Sequence, residues 1–431
     1  MPTDLFTAVD ARAMLVAATA NIACALVGVL LVVRRQSLMG DAISHAVLPG
    51  LVVAFLVSGS FSTVPMLAGA VAAGVVTTFL TEALRRRGGV AADAALGVVF
   101  TSLFALGVVL VKRYLKGVHF DVACVYEGSL LHAALEMTSI GPFEAPRALL
   151  SAGFVLVVVL CVYAAFWKEL RLCAFDSALA DTMGFSPTLM HYAVMGLVAM
   201  TAAVAFEAVG AILVVAMMIT PAAAAHLLTD RLAPMTIVAG ALAGCWSVLG
   251  YMVAVWLDVS PAGSMATLAG LGYAVAALFS PKYGVLAKLA ANARLSLRIR
   301  RDDLLALLYR RDERSPGATL AIEDALRSVG GDWWARLSLA VLQHRSQVVT
   351  ADNTIRLTDS GRDAAARLIR SHRLWESYLV KEVGIADDHV HEAAHVVEHY
   401  VDRDLGSQLE DALGGLEKDP HGREIPIESK D

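Results

Sequence analysis

The sequence predicts an all-α polytopic membrane protein of about eight to nine transmembrane helices, followed by a polar C-terminal region. Of the 431 residues, 57% are hydrophobic and 17% are charged, and the mean hydropathy is +0.62. Such an apolar composition excludes a soluble globular protein. Residues 1–280 hold 28 of the 75 charged side chains, and residues 281–431 hold the other 47. The chain therefore divides into a membrane part and a soluble part.

Nine apolar runs make up the membrane part. Eight are long enough to cross a hydrocarbon core of about 30 Å, and one is shorter and interrupted by Pro49. In chain order the runs are Met14–Val33, Ile43–Val57, Pro65–Leu84, Ala94–Val111, Leu149–Phe166, Leu189–Phe206, Val209–Leu228, Pro234–Leu257 and Ala262–Phe279. Because loops rich in Arg and Lys fall at alternate ends of these runs, the positive-inside rule places the N-terminus outside and the C-terminus in the cytoplasm.

An acid and an imidazole lie one helical turn apart at the start of the interrupted run. In the stretch GDAISHAVLPG, Asp41 and His45 share one helical face. Ionisable groups at membrane depth are costly, so these two should face an aqueous path or each other. Pro49 has no N–H for the carbonyl of His45, which predicts a kink. The pair suits a divalent ion such as Mn, Fe or Zn, and the alternative is a hydrogen bond that locks helix packing.

The run GDAISHAVLPGLVVAFLV resembles the signature of the permease family of ABC-type zinc, manganese and iron uptake systems, and the resemblance covers nearly all of residues 10–285. It implies that Asp41 and His45 hold metal in the translocation path. It also implies a homodimer in the lipid of the bacterial cytoplasmic (inner) membrane, supplied by an extracytoplasmic metal-binding protein and driven by a cytoplasmic ABC ATPase. The sequence has no GxxxxGK[ST] loop, so we expect the ATPase to be a separate chain, and this chain to bind no nucleotide and catalyse no reaction.

A capped segment between two predicted spans resembles the coupling helix with which this family contacts its ATPase. Asp176 can cap a two-turn helix that Gly184 ends. Without the resemblance, the segment is only a well-capped loop helix. The predicted coupling residues are Phe175, Asp176, Ser177, Ala178, Leu179, Ala180 and Gly184.

Two further polar residues lie near membrane depth and are second-rank candidates for the translocation path. Glu207 follows Phe206, and His226 follows the pair Thr220-Pro221. The alternative for each is a position at the membrane surface, Glu207 outside and His226 near the cytoplasm.

After Lys282 the sequence becomes charged and amphipathic, and it predicts a winged helix within residues 295–358. Leu297–Arg311, Thr319–Val329 and Asp332–His344 are predicted helices, and residues 347–358 form two short strands with a turn at Asp352-Asn353. Residues 297–359 are nearly neutral in charge, which argues against strong phosphate binding. We therefore favour a protein-contacting domain over a DNA-binding one.

Imidazole and carboxylate groups then recur at helical spacing. His391, His395, Glu398 and His399 share one side of a predicted helix, and His372 and Glu376 lie four residues apart on the preceding one. Imidazoles and carboxylates without thiols are typical of a Mn, Fe or Zn site. The alternative is a solvated polar helix face.

Residues 359–431 resemble the metal-binding and dimerisation domain of the diphtheria toxin repressor family. The resemblance rests on LTDSGRDAAARLIRSHRLWESYL, VHEAAHVVEH and DPHGREIPI. It implies that His372, Glu376, His391, His395, Glu398 and His399 are metal ligands, with Asp303 as a further ligand from the first helix of the winged-helix region. Ala306 stands where the next acidic ligand is expected, so this half of the site departs from the family pattern.

Together these observations predict a permease for Mn, Zn or Fe in residues 1–285, with a helical metal-sensing regulatory module behind it. The competing hypotheses are a membrane-tethered, metal-dependent transcriptional regulator and a secondary transporter that needs no ATPase. The Asp41–His45 pair and the capped segment argue against the first of these.

Overall fold

The computed structural model describes residues 8–60, 62–114, 130–140, 143–386, 390, 403–414, 416 and 418–426. The chain divides into two compact units, Met1–Ala287 and Lys288–Asp431.

The described part of the first unit is almost entirely helical. Its helices are α1 (Ala8–Val33), α2 (Ser37–Ala46), α3 (Leu48–Ser58), α4 (Thr63–Gly88), α5 (Ala92–Tyr114), α6 (Leu130–Leu135), α7 (Arg147–Ala165), α8 (Trp167–Phe175), α9 (Ser177–Thr182), α10 (Pro187–Val209), α11 (Ala211–Leu228), α12 (Leu232–Leu257) and α13 (Pro261–Phe279). Strands β1 (Met137–Ile140) and β2 (Phe143–Pro146) pair antiparallel between α6 and α7.

Among the described residues, nine segments are long and apolar enough to cross a membrane, with α2 and α3 together forming one of them. Their number and order match the nine predicted runs. The first segment begins at Ala8, six residues before the predicted Met14. Asp10 extends the helix beyond the apolar run because an acidic side chain is favourable in the first turn of a helix.

Helix α1 is the centre of the membrane unit, and it packs against α2, α6, α7, α10, α11 and α12. Two buried hydrogen bonds fix its neighbours. The Asn21 side-chain amide donates to the Ser247 hydroxyl at 2.7 Å, and the Tyr163 hydroxyl donates to the Leu26 carbonyl at 2.7 Å. In a nonpolar environment such bonds join helices that have no hydrophobic reason to prefer each other over lipid.

The stretch from Val118 to Arg147 is too polar to cross a membrane, and its sequence predicts an outer loop with a partial helix. Helix α6 is that partial helix, and residues 115–129 lie outside the described part of the chain. The β1–β2 hairpin was not predicted, because strands of four residues are too short for a pattern of side chains to identify them.

The second unit contains helices and a three-stranded antiparallel sheet. Helix α14 (Val285–Arg314) begins in the first unit and continues into the second. The remaining elements are β3 (Leu320–Ala321), α15 (Ile322–Ser328), α16 (Trp333–His344), β4 (Val348–Ala351), β5 (Thr354–Leu357), α17 (Asp359–Lys381) and α18 (Arg403–Leu413), and the sheet order is β3-β5-β4.

The predicted hairpin is present, with Val348 opposite Leu357 and positive φ angles at both turn residues, Asp352 and Asn353. One helix prediction, Thr319–Val329, was partly wrong. Leu320 and Ala321 form a strand, because they pair with Ile355 and Thr354. Tertiary pairing overrides local helix preference at these two residues.

Two small cores hold the second unit together. Apolar side chains of α14, α16 and the sheet form the first, and α17 packs against α18 and the chain near residue 425 in the second. The Thr358 hydroxyl accepts the Gly361 N–H at 3.0 Å and caps α17. This cap fixes where the helix that carries His372 and Glu376 begins.

Candidate functional site

A helix break positions the Asp41–His45 pair. Helix α2 ends at Ala46 and α3 begins at Leu48, with Pro49 in its first turn. The helix assignment is interrupted only at Val47, whose φ and ψ of −67° and −25° are helical, and the kink stays a prediction. Helix α3 then packs directly on α4, because Gly50 faces Gly69: a Cβ atom added at Gly50 would lie 2.2 Å from the Gly69 carbonyl oxygen. Only the absence of a side chain permits this approach.

The carboxylate and the imidazole face each other across a short gap. Asp41 Oδ1 lies 3.5 Å from His45 Nε2, and the two side chains are 42% and 25% exposed, respectively. This distance exceeds the range of an ordinary hydrogen bond, about 2.7–3.2 Å. The two groups therefore make no direct hydrogen bond, and both are available to bind an atom placed between them.

Three phenylalanine rings surround the imidazole. The ring centroid of His45 lies 5.7 Å from that of Phe104, 6.2 Å from that of Phe206 and 6.5 Å from that of Phe100. Sequence analysis missed these residues because they come from α5 and α10, far from His45 in the chain. The only local signal was the four-residue spacing of Phe100 and Phe104. An apolar shell lowers the local dielectric and strengthens the attraction between a carboxylate and a cation.

The second-rank candidates lie at helix ends. Glu207 is exposed near the C-terminus of α10, next to Phe206, and His226 is exposed in the last turn of α11. Near Glu207, the Arg147 guanidinium forms an ion pair with Glu136 at 3.2 Å. A path role for Glu207 or His226 stays a prediction.

The capped segment forms the short helix that was predicted. Asp176 Oδ1 accepts the Leu179 N–H at 2.9 Å, and Gly184 has a φ of +85° after the end of α9. Ala180 is buried, whereas Phe175, Leu179 and Met183 are exposed. The segment thus presents an apolar face between two spans.

In the second unit, His372 and Glu376 form a close, buried pair on α17. His372 Nε2 lies 2.9 Å from Glu376 Oε1, and both side chains are less than a tenth exposed. The neighbouring Arg373 holds both carboxylate oxygens of Glu313, at 3.0 and 2.8 Å. This bidentate ion pair ties α17 to α14 and so fixes the helix that carries the pair.

Two further polar residues, Asp419 and His421, line a cavity beside this pair, and sequence analysis did not identify them. Asp419 Oδ1 accepts the backbone N–H groups of His421 and Arg423 at 2.9 and 2.8 Å, which fixes this turn. The available signal was the DPHG stretch, in which an acid and an imidazole are two residues apart. A cavity of about 70 Å³ is lined by Arg310, Ile369, His372, Arg373, Glu376, Asp419, His421 and Arg423.

The remaining predicted ligands are His391, His395, Glu398, His399 and Asp303. His391, His395, Glu398 and His399 lie outside the described residues. Asp303 lies on α14, half-buried, after Asp302, which pairs with Arg301 at 2.7 Å. Within the part of the chain that the structure describes, no three His, Cys, Asp or Glu side chains lie close enough to hold one ion.

Two protein families match different parts of this sequence. Residues 8–280 match the family described as the ABC 3 transport family. Residues 358–427 match the family described as the iron dependent repressor, metal binding and dimerisation domain. The first match ends at residue 280, where the sequence changes from apolar to charged.

Individual relatives agree with the first match. The manganese transport system membrane protein MntD of Bacillus subtilis is 44% identical over 269 residues, which cover 62% of this chain and 91% of the relative. The zinc transport system membrane protein TroD of Treponema pallidum is 45% identical over 284 residues, covering 66% of this chain and 77% of the relative. The structure of PsaBC from Streptococcus pneumoniae in complex with Fab is 28% identical with a TM-score of 0.56, covering 64% of this chain and 94% of that one.

Proposed function

The chain belongs to the ABC 3 transport family, and from this premise we propose that it is the permease subunit of an ABC-type importer for a divalent transition metal ion, with a C-terminal metal-sensing regulatory domain. The relatives named for manganese and zinc transport support this class of cargo. The observation that carries the proposal is the geometry of Asp41 and His45 at the break between α2 and α3.

Asp41 and His45 act as ligands of the transported ion. One carboxylate oxygen and one imidazole nitrogen are donors that Mn, Fe and Zn all accept. Their 3.5 Å separation leaves both donors available to an ion between them. Two protein ligands leave most of the coordination sphere to other groups, such as water, which keeps binding weak enough for release. The phenylalanine shell strengthens the attraction without adding a ligand.

The energy for transport comes from a separate ABC ATPase that contacts the exposed apolar face of α9. The Asp176 cap and the Gly184 turn hold this helix as a rigid unit, which is what a mechanical contact requires. An extracytoplasmic metal-binding protein delivers the ion, and two copies of the chain form the permease. The distribution of basic residues supports a C-terminus in the cytoplasm.

The C-terminal module senses metal through the buried pair on α17. His372 and Glu376 supply an imidazole and a carboxylate 2.9 Å apart, and these donors, without thiols, suit Mn, Fe or Zn. The cavity of about 70 Å³ beside them is also lined by three arginines, so the other ligands of the ion must come from elsewhere in the module. His391, His395, Glu398, His399 and Asp303 are the further predicted ligands.

The helices and hairpin of residues 295–358 support a winged helix between the permease and the sensor. We infer that it contacts protein rather than DNA, because residues 297–359 are nearly neutral and strong DNA binding depends on neutralising phosphates. A module that contacts protein in place of DNA regulates the transporter itself and not the expression of genes.

Uptake of radioactive Mn, Zn and Fe by cells that express the chain with its transport partners tests the proposal. Asp41→Asn and His45→Gln should each lower uptake at least about tenfold, since each removes one of two ligands. Asp93→Asn, which alters an exposed acid at the start of α5, is the matched control and should transport normally. Normal uptake by both ligand variants, at equal protein levels, would refute this site.

A further inference from the structure

The turn that follows the last membrane span is held firmly to the neighbouring loop. Helix α13 ends at Phe279 and α14 begins at Val285. Between them, the Tyr283 hydroxyl donates to Asp230 at 2.6 Å, and the Lys282 ammonium pairs with the same carboxylate. These two hydrogen bonds hold the pKa of Asp230 below its ordinary value. The chain therefore starts a new helix at a defined place next to the end of the span.

The first part of this new helix is amphipathic and exposed. Val285, Leu286 and Leu289 are 49%, 45% and 59% exposed. At 3.6 residues per turn, six apolar side chains share an arc of roughly 140°, which also contains Ser296, whereas Leu295 lies on the opposite side. The apolar residues of this arc, which we call the apolar stripe, are Val285, Leu286, Leu289, Ala290, Ala293 and Leu297.

Basic residues flank the apolar stripe on both sides. Lys288 lies beyond one edge, and Arg294 and Arg298 lie beyond the other, and all three are exposed. From residue 281 to residue 301 the sequence contains no Asp or Glu. A helix with an apolar face and basic flanks has the composition of a segment that lies on a negatively charged membrane surface.

We propose that residues 285–298 form a membrane-surface segment that binds anionic lipid headgroups, with the apolar stripe turned toward the acyl chains. The segment begins only six residues after the last span, and this short connection favours membrane lipid as its partner. Its charge excludes the main rival, a second copy of the same helix. Two such helices packed stripe to stripe would bring only like charges together, whereas anionic lipid neutralises them.

Photocross-linking of the full-length protein in lipid nanodiscs tests this proposal and does not depend on transport. A photoreactive benzoylphenylalanine replaces Leu289 in the apolar stripe or, as the matched control, the exposed Ala291 on the opposite side of the helix. Each protein is placed in phosphatidylcholine alone or in phosphatidylcholine with one third phosphatidylglycerol. We expect lipid adducts from position 289, with a yield at least about threefold higher in the anionic discs, and few from position 291.

A second experiment tests the basic residues that flank the apolar stripe. Lys288→Gln combined with Arg294→Gln should reduce the adduct yield in anionic discs to the level found in neutral discs. A covalent dimer formed from position 289 in both lipids would assign the stripe to a second copy and overturn the proposal. Equal lipid adducts from positions 289 and 291, or none from either, would also overturn it. Circular dichroism of each variant shows whether the helix content is intact.

Discussion

Two acid–imidazole pairs in this chain have the same spacing but very different surroundings. Asp41 and His45 are 3.5 Å apart and partly exposed, whereas His372 and Glu376 are 2.9 Å apart and buried. A transported ion must be bound weakly enough to leave, and a sensed ion must remain bound long enough to change a conformation. The open pair fits the first role and the buried pair fits the second.

The first prediction concerns His372. Replacing it with Ala should weaken metal binding by the C-terminal module at least about tenfold, because the site loses the imidazole of its buried pair. Titration calorimetry of the full chain with Mn or Zn, in an Asp41→Asn background that removes the permease site, measures this loss. His344→Ala changes an exposed histidine on α16 and should leave affinity unchanged. Equal affinities for the two variants would remove His372 from the site.

At the scale of elements, two short features decide the geometry of the membrane unit. The break at Val47 places Asp41 and His45 beside the rings of α5 and α10, and the contact of Gly50 with Gly69 holds α3 against α4. Sequence alone predicts the break, because Pro49 cannot donate a hydrogen bond. It cannot predict the glycine contact, since nothing local to Gly50 shows which helix it faces.

The second prediction tests the contact between α3 and α4. Gly50→Ala should destabilise the protein by about 1–3 kcal/mol, because the new methyl group would meet the Gly69 carbonyl oxygen at 2.2 Å. Thermal unfolding in detergent, monitored by circular dichroism, should show a lower midpoint. Gly97→Ala in α5 meets no atom within 4 Å and should stay within about 0.5 kcal/mol of the native protein. Equal midpoints would show that α3 and α4 are not closely packed.

The third prediction concerns the cap of α9. Asp176→Ala removes the carboxylate that accepts the Leu179 N–H and should cost this helix about 1 kcal/mol. The expected result is weaker co-purification of the ATPase and a lower metal-stimulated ATPase rate. Asp181→Ala changes an exposed acid on the same helix that does not cap it. If both variants retained full ATPase coupling, α9 would not be the contact.

At the scale of the whole molecule, the sequence predicts the number and order of the spans because long apolar runs have few alternatives. It predicts the Asp41–His45 and His372–Glu376 pairs because four residues make one helical turn. The phenylalanine shell and the Asp419–His421 turn escaped prediction, since both depend on contacts between distant segments. Sequence analysis placed the start of helix α14 at Leu297, whereas the helix begins at Val285, and none of the side chains before Asp302 is buried in a core.

We propose that one chain both transports a metal ion and senses it on the side of delivery. Both candidate sites use the same donor chemistry, so the same ion can occupy each of them. Since import raises cytoplasmic metal, an occupied sensor should slow transport. Nearly complete switching requires the ion to favour one state about 10⁴-fold, or roughly 5.5 kcal/mol.

The most direct measurement is the rate of metal uptake into proteoliposomes that contain the full transporter and increasing concentrations of metal inside. The sensor variant combines His372→Ala with Glu376→Ala and leaves Asp41 and His45 intact. We predict that internal metal slows the native transporter at least several-fold, while the variant transports at a constant rate. Identical dependence on internal metal in the two proteins would contradict the claim that the C-terminal module regulates transport.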